Sequence, residues 1–163
     1  MPHRIIAAGM FALALAGGPA FGQGVRMDRN VSMQLANAIM NAAMEQCLAD
    51  GYRVSVAVVD RAGHMIAFLR GDGTAPHTAE LARRKAYTAR TFRRSSLEWA
   101  KRTEGSPLAG QRSLADVIPL GGGLPINVGD DTIGAIGVSG APGQEKDEAC
   151  AQAGLAKVAD QLR

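Results

Sequence analysis

Side chains able to ligate a metal are scarce in this chain, and that scarcity narrows the chemistry. Of three histidines, His3 falls among the first residues, which read as a removable leader, so His64 and His77 remain. His77 follows the Gly71-Asp72-Gly73 turn and Pro76, at the start of a helix by its spacing, and a neutral imidazole there could offer its lone pair to a metal. His64 closes a hairpin turn, where an exposed turn residue is the competing reading. Asp60 and Asp72 also sit in turns, where aspartate is favoured for local hydrogen bonds alone. Basic residues gather at Arg83, Arg84, Lys85, Arg90, Arg93 and Arg94. One solvated helix face accounts for most of that cluster, and a dedicated anion site is the alternative. No nucleophile elbow, His-Glu-x-x-His, Walker loop or dinucleotide fingerprint occurs. Gly121-Gly122-Gly123 leads into a strand rather than a helix, so it lacks the helix dipole of a phosphate loop.

The elements that must position these residues follow from periodicity. Val31, Leu35, Ile39, Ala42, Ala43, Cys47 and Leu48 recur at three and four residues, which predicts a helix over 31–50 with Asn30 as its cap and Gly51 just past its end. Alternation over 53–70, around Asp60-Arg61-Ala62-Gly63, predicts an antiparallel hairpin. Pro76 opens a helix running to about Thr91, with Ala79, Ala82, Ala86 and Ala89 on one face. The box Ser95-Ser96-Leu97-Glu98 starts a shorter helix in which serine and glutamate satisfy each other's amides. Residues 104–116 hold Gly105, Pro107 and Gly110 and little periodicity, and are expected to be the longest and most mobile loop. Val117, Ile118 and Leu120 offer a further short strand before a second hairpin around Gly129-Asp130-Asp131. Gly134 and Gly137 fall inside its second strand, a place for glycine when another backbone or a flat ligand approaches closely. An amphipathic helix over 145–162 closes the chain. The order is α+β: a mainly antiparallel sheet flanked by helices, in a single domain.

The first 22 residues read as a signal peptide: His3 and Arg4, an apolar run from Ile5 to Leu15, then the small-residue site Ala20-Phe21-Gly22. The run is too short to span a bilayer, so the expected mature domain, residues 23–163, is periplasmic or secreted, with no membrane insertion. The formal charge of +3 falls to +2 when Arg4 leaves. That balance, with few aromatics and no stacking platform, argues against nucleic acid. Cys47 and Cys150 both lie on apolar helix faces expected to cover the same sheet, which predicts a disulfide in an oxidising compartment; two buried thiols that never meet are the alternative.

Four segments together resemble the GlcG/HbpS-like haem-binding family: Val56-Ala57-Val58-Val59-Asp60-Arg61-Ala62-Gly63-His64, Ala82-Arg83-Arg84-Lys85-Ala86-Tyr87-Thr88-Ala89, Pro119-Leu120-Gly121-Gly122-Gly123-Leu124-Pro125 and Gly134-Ala135-Ile136-Gly137-Val138-Ser139-Gly140. They occur in the family's order and cover nearly all of the mature chain. The resemblance implies an antiparallel sheet of about five strands, assembly into homo-oligomers, and binding of haem or a related tetrapyrrole, which some members degrade. A haem requires an axial donor and often cations for its propionates. The candidate haem contacts are therefore His77, Arg83, Arg84, Tyr87 and Arg94, with His77 first and His64 second as the iron ligand. A non-enzymatic carrier or sensor accessory is the leading expectation. A haem-degrading enzyme and an oligomeric interaction protein without cofactor are the alternatives.

Overall fold

The computed structural model of the protein describes residues 24–163. The expected signal peptide, residues 1–22, lies outside the described residues. Helix α1 (Met33–Ala49) starts at Ser32, whose hydroxyl accepts from the Leu35 amide. Asn30, the expected cap, instead accepts from the amides of Val31 and Arg61, both at 2.9 Å, and so ties the approach to α1 to the first hairpin turn. That hairpin joins β1 (Ser55–Asp60) to β2 (Met65–Arg70). Its turn is held by Asp60 Oδ1, which accepts from Ala62 and His64 amides at 2.9 Å. Helix α2 (His77–Phe92) ends where Arg93 takes a left-handed conformation, and α3 (Ser96–Thr103) follows at once. Ser95 caps α3 as expected, accepting from Leu97 and Glu98 amides. The reciprocal half of the box is missing, because the Glu98 carboxylate pairs with Arg94.

The expected mobile loop is tied down. It carries a 3-10 turn, Ala109–Ser113, and Arg112 donates to Thr103 Oγ1 at 2.9 Å and to the Ala100 carbonyl at 2.6 Å. Strands β3 (Gly123–Val128) and β4 (Asp131–Ser139) form the second hairpin, and α4 (Gln144–Lys157) with a final 3-10 turn completes the chain.

The sheet has four strands in the order β2-β1-β4-β3, antiparallel throughout, rather than about five. The missing strand is the apolar run Val117 to Leu120. Side chains of α2 satisfy its backbone instead: Thr88 Oγ1 accepts from the Ile118 amide at 2.9 Å, and Arg84 donates to the Val117 carbonyl at 2.6 Å. With those groups spent the segment has no need of a ladder.

Alternation sends β1 and β4 side chains to opposite faces. Val56, Val58, Ile136 and Val138 meet Ile39, Met40 and Ala43 of α1 and Cys150 and Ala151 of α4 in the main core. Cys47 and Cys150 are joined there by a disulfide linking α1 to α4. The opposite face is covered by α2 through small residues: Val59 and Ala135 meet Ala86 and Ala89. Gly137 of β4 faces that helix so closely that a Cβ there would lie 2.6 Å from the Ala86 amide nitrogen. The in-strand glycine thus admits a backbone, not a flat ligand. Among the described residues no helix is long and apolar enough to cross a membrane.

Candidate functional site

A cleft of about 810 Å³ opens where β4 ends and α2 and α4 begin. Its position follows from the chain path. β4 runs out at Ser139, the Gly140–Gly143 turn reverses direction into α4, and α2 enters from the side at Pro76. Leu81, Leu120, Ala141 and Pro142 give it apolar walls, His77 stands exposed on its lining, and Arg53 lies on its exposed rim.

Lys85 and Asp147 lie at the floor, 2.7 Å apart, with side chains only 4% and 5% exposed. Lys85 Nζ also donates to the Val138 carbonyl at 3.0 Å, and Asp147 Oδ1 accepts from the Ala141 amide at 2.9 Å. The pair therefore binds α2, the end of β4 and the start of α4 to one another. Burial pushes the Lys85 ammonium down from its ordinary range, against the attraction of Asp147. Burial likewise pushes the Asp147 carboxyl up, opposed by Lys85 and by the amides of Ala141 and Gly140. Desolvation works against both charges at once, and a buried pair of this kind in a cleft marks a candidate site.

Of the candidate haem contacts and the basic cluster singled out from sequence, His77 and Lys85 line this cleft. Arg83 sits in a smaller groove with Met65 and Phe68, donating to Glu80 at 2.8 Å and Asp116 at 2.6 Å. Those two carboxylates hold its guanidinium firmly charged. Arg84 donates through one terminal nitrogen to the Val117 carbonyl while its buried Nε has no partner among the described residues, and Arg94 donates to Glu98 beside the stacked rings of Phe92 and Trp99. The Tyr87 ring lies against Gly63 in the first hairpin turn, and His64 projects from that turn with its side chain 82% exposed. The six candidate haem contacts are thus spread over several surfaces.

Asp147 and Arg53 have no place in the sequence reading, and Lys85 and Ser139 enter it only within the basic cluster and a family-like strand, not as site residues. A signal was present for two of them. Lys85 falls one residue before Ala86 in the alanine stripe, and Asp147 stands three, four and seven residues before Cys150, Ala151 and Gly154, all buried. A charge at positions of buried periodicity announces either a pair or a site. Among the described residues no three His, Cys, Asp or Glu side chains converge as a metal cage.

Residues 31–156 match the family described as "Haem degrading protein HbpS-like". The chain is 35% identical over 109 residues to protein GlcG of Escherichia coli strain K12, covering 67% of this chain and 81% of that protein. It superposes on the crystal structure of HbpS with a TM-score of 0.79 at 37% identity, covering 84% of this chain and 96% of that one. A PduOC:heme complex superposes with a TM-score of 0.74 at 27% identity, over 78% of this chain and 94% of that chain.

Proposed function

The chain belongs to the HbpS-like family, and on that premise we propose that it is an exported haem-binding protein whose axial ligand is His77. The observation that carries the assignment is the exposed His77 ring on the lining of the cleft, with no hydrogen bond to another side chain among the described residues. Three features fit the group. The cleft volume of about 810 Å³ lies in the range of roughly 300–1,000 Å³ usual for cofactor pockets. Its walls carry Leu81 and Leu120, and its rim carries the Arg53 cation. The solved haem complex of a protein with this fold supports the same class of ligand. Bound haem would supply an iron centre for ligand exchange or redox chemistry. The chain's own part is to present an imidazole, shield one edge of the ring and hold its carboxylates.

The test is a titration of the mature chain with haem, followed at the Soret band. His77→Ala is expected to shift the maximum and weaken binding, with His64→Ala near the parent. Loss of the spectrum in His64→Ala alone would reverse the assignment.

Haem degradation is the second reading, favoured by the description of the matching family. Loss of the Soret band on adding reductant and oxygen would distinguish it from carriage.

Export is supported by the order of basic, apolar and small residues in the first 22 positions and by the disulfide, which suits an oxidising compartment. The mass of protein recovered from the periplasm tests it, since an uncleaved chain would contradict export by this route. The protein assembles as a homo-oligomer in this reading, and Met65 and Phe68, 48% and 38% exposed on edge strand β2, are one exposed apolar surface that could serve it. A monomer mass by light scattering over a wide concentration range would refute assembly.

A further inference from the structure

The inner end of the cleft has a feature that an axial imidazole leaves unused. Ser139, at the end of β4, is 3% exposed and lines the cleft, yet its hydroxyl has no hydrogen-bond partner among the described residues. Its oxygen opens onto the cleft, where it is free to donate to or accept from a ligand. Beside it, Lys85 Nζ has three N–H groups and spends two, on Val138 O and Asp147 Oδ2. The cleft is also where α2 and α4 begin, and their N-cap residues, Pro76 and Gly143, provide no side-chain cap. The free amides of a helix start favour negative charge. Asp147, a carboxylate on this lining, is already committed to Lys85 through one oxygen and to the Ala141 amide through the other.

From this juxtaposition we propose that the inner cleft is a carboxylate seat, with Ser139 and Lys85 donating to the ligand's two oxygens and Arg53 closing over it from the rim. A planar carboxylate suits two neighbouring donors, and charge-assisted hydrogen bonds of this kind are the strong ones. Two sources present the same chemistry: a propionate of the tetrapyrrole, in which case the inference rests on the haem reading, or a free small carboxylic acid, in which case it does not.

The experiment has two arms. In the first, Fe(III) protoporphyrin IX and its dimethyl ester are titrated at the Soret band into the parent protein, Ser139→Ala and Arg53→Ala. A propionate in the seat makes the ester about tenfold or more weaker than the free acid in the parent, with the gap shrinking in Ser139→Ala. In the second arm, sodium propionate is added to the haem-free protein, with sodium chloride and inorganic phosphate as controls, and amide resonances of residues 139–141, 143 and 144 are followed. A free-acid site gives saturable shifts that Ser139→Ala abolishes. Arg53 lies on the exposed rim, so its variant reports on the seat should Ser139→Ala disturb the sheet. Indifference to esterification together with no saturable propionate shift overturns the seat, and a shift with phosphate alone overturns the carboxylate class. A His77-dependent Soret band in the face of either result leaves the haem reading standing. Saturable propionate shifts with no Soret band do the reverse.

Discussion

On one side of the sheet, α1 and α4 bury Ile39, Met40, Val56, Val58, Ile136 and Val138 around a disulfide. On the other, α2 rests on alanine and glycine, with a lysine and the hydroxyls of Thr78 and Thr88 as its buried polar groups. Large interdigitating side chains hold helices off a sheet and bring most of the stabilisation through apolar burial. Contact through alanine and glycine brings the backbone of α2 down onto β4 and leaves no volume for such a core. Lys85, Thr78 and Thr88 beneath α2 are paired, while the Nε atoms of Arg84 and Arg90 have no partner among the described residues, and where the helix begins the covering stops and the cleft opens. One face carries the large apolar side chains, and the other ends at the cleft.

That contrast can be broken first at Lys85. Lys85→Met alone leaves the Asp147 charge buried without its partner and is expected to cost about 3–5 kcal/mol, whereas adding Asp147→Leu should restore most of the loss. Urea unfolding of the two variants and the parent checks this, and a single variant as stable as the double would mean that the pair is not what joins α2 to α4. The disulfide should come next in size. It closes a loop with a sequence separation of 103 residues. The chain-entropy model for such a loop allows up to about 4.7 kcal/mol, with about 2–4 kcal/mol typical. Replacing both cysteines by alanine should lower the unfolding free energy by that amount, read from urea denaturation, while leaving haem affinity unchanged. A comparable loss of haem affinity would show that the two faces are not independent.

The apolar face was the more legible in the sequence. The period of three and four in α1 and the cysteine on each apolar stripe led directly to the α1–α4 pairing and its disulfide, because burial and periodicity report the same thing there. The α2 face was read less well. Its alanine stripe and the in-strand Gly137 announce close approach, and Gly137 against Ala86 is that approach, whereas Gly134 meets Val31 and the Val59 carbonyl instead. But Lys85 stands among arginine neighbours that read as a solvated basic face, and its place beside the alanine stripe is the local sign of its burial. Its partner lies 62 residues away, and only the fold brings them together. Val117 to Leu120 misled for a related reason: an apolar run reads as a strand, while the groups that satisfy its backbone, Thr88 and Arg84, sit on a helix. The arginines proposed for propionates were chosen by proximity in sequence to His77, and a helix distributes such neighbours around its circumference. Arg53, across the cleft from that helix in the chain, gave no sequence signal at all.

The most direct test is to locate the ligand on one of the two faces. Diamagnetic gallium protoporphyrin IX, added to the isotopically labelled mature chain, shifts the amide resonances of nearby residues. The account predicts saturable shifts centred on His77, Thr78 and residues 139–141, 143 and 144, with the α1 and α4 helices beyond the first turn of α4 unmoved. Shifts centred instead on the Met65, Phe68 and Arg83 groove, or on the turn that carries His64, would contradict it.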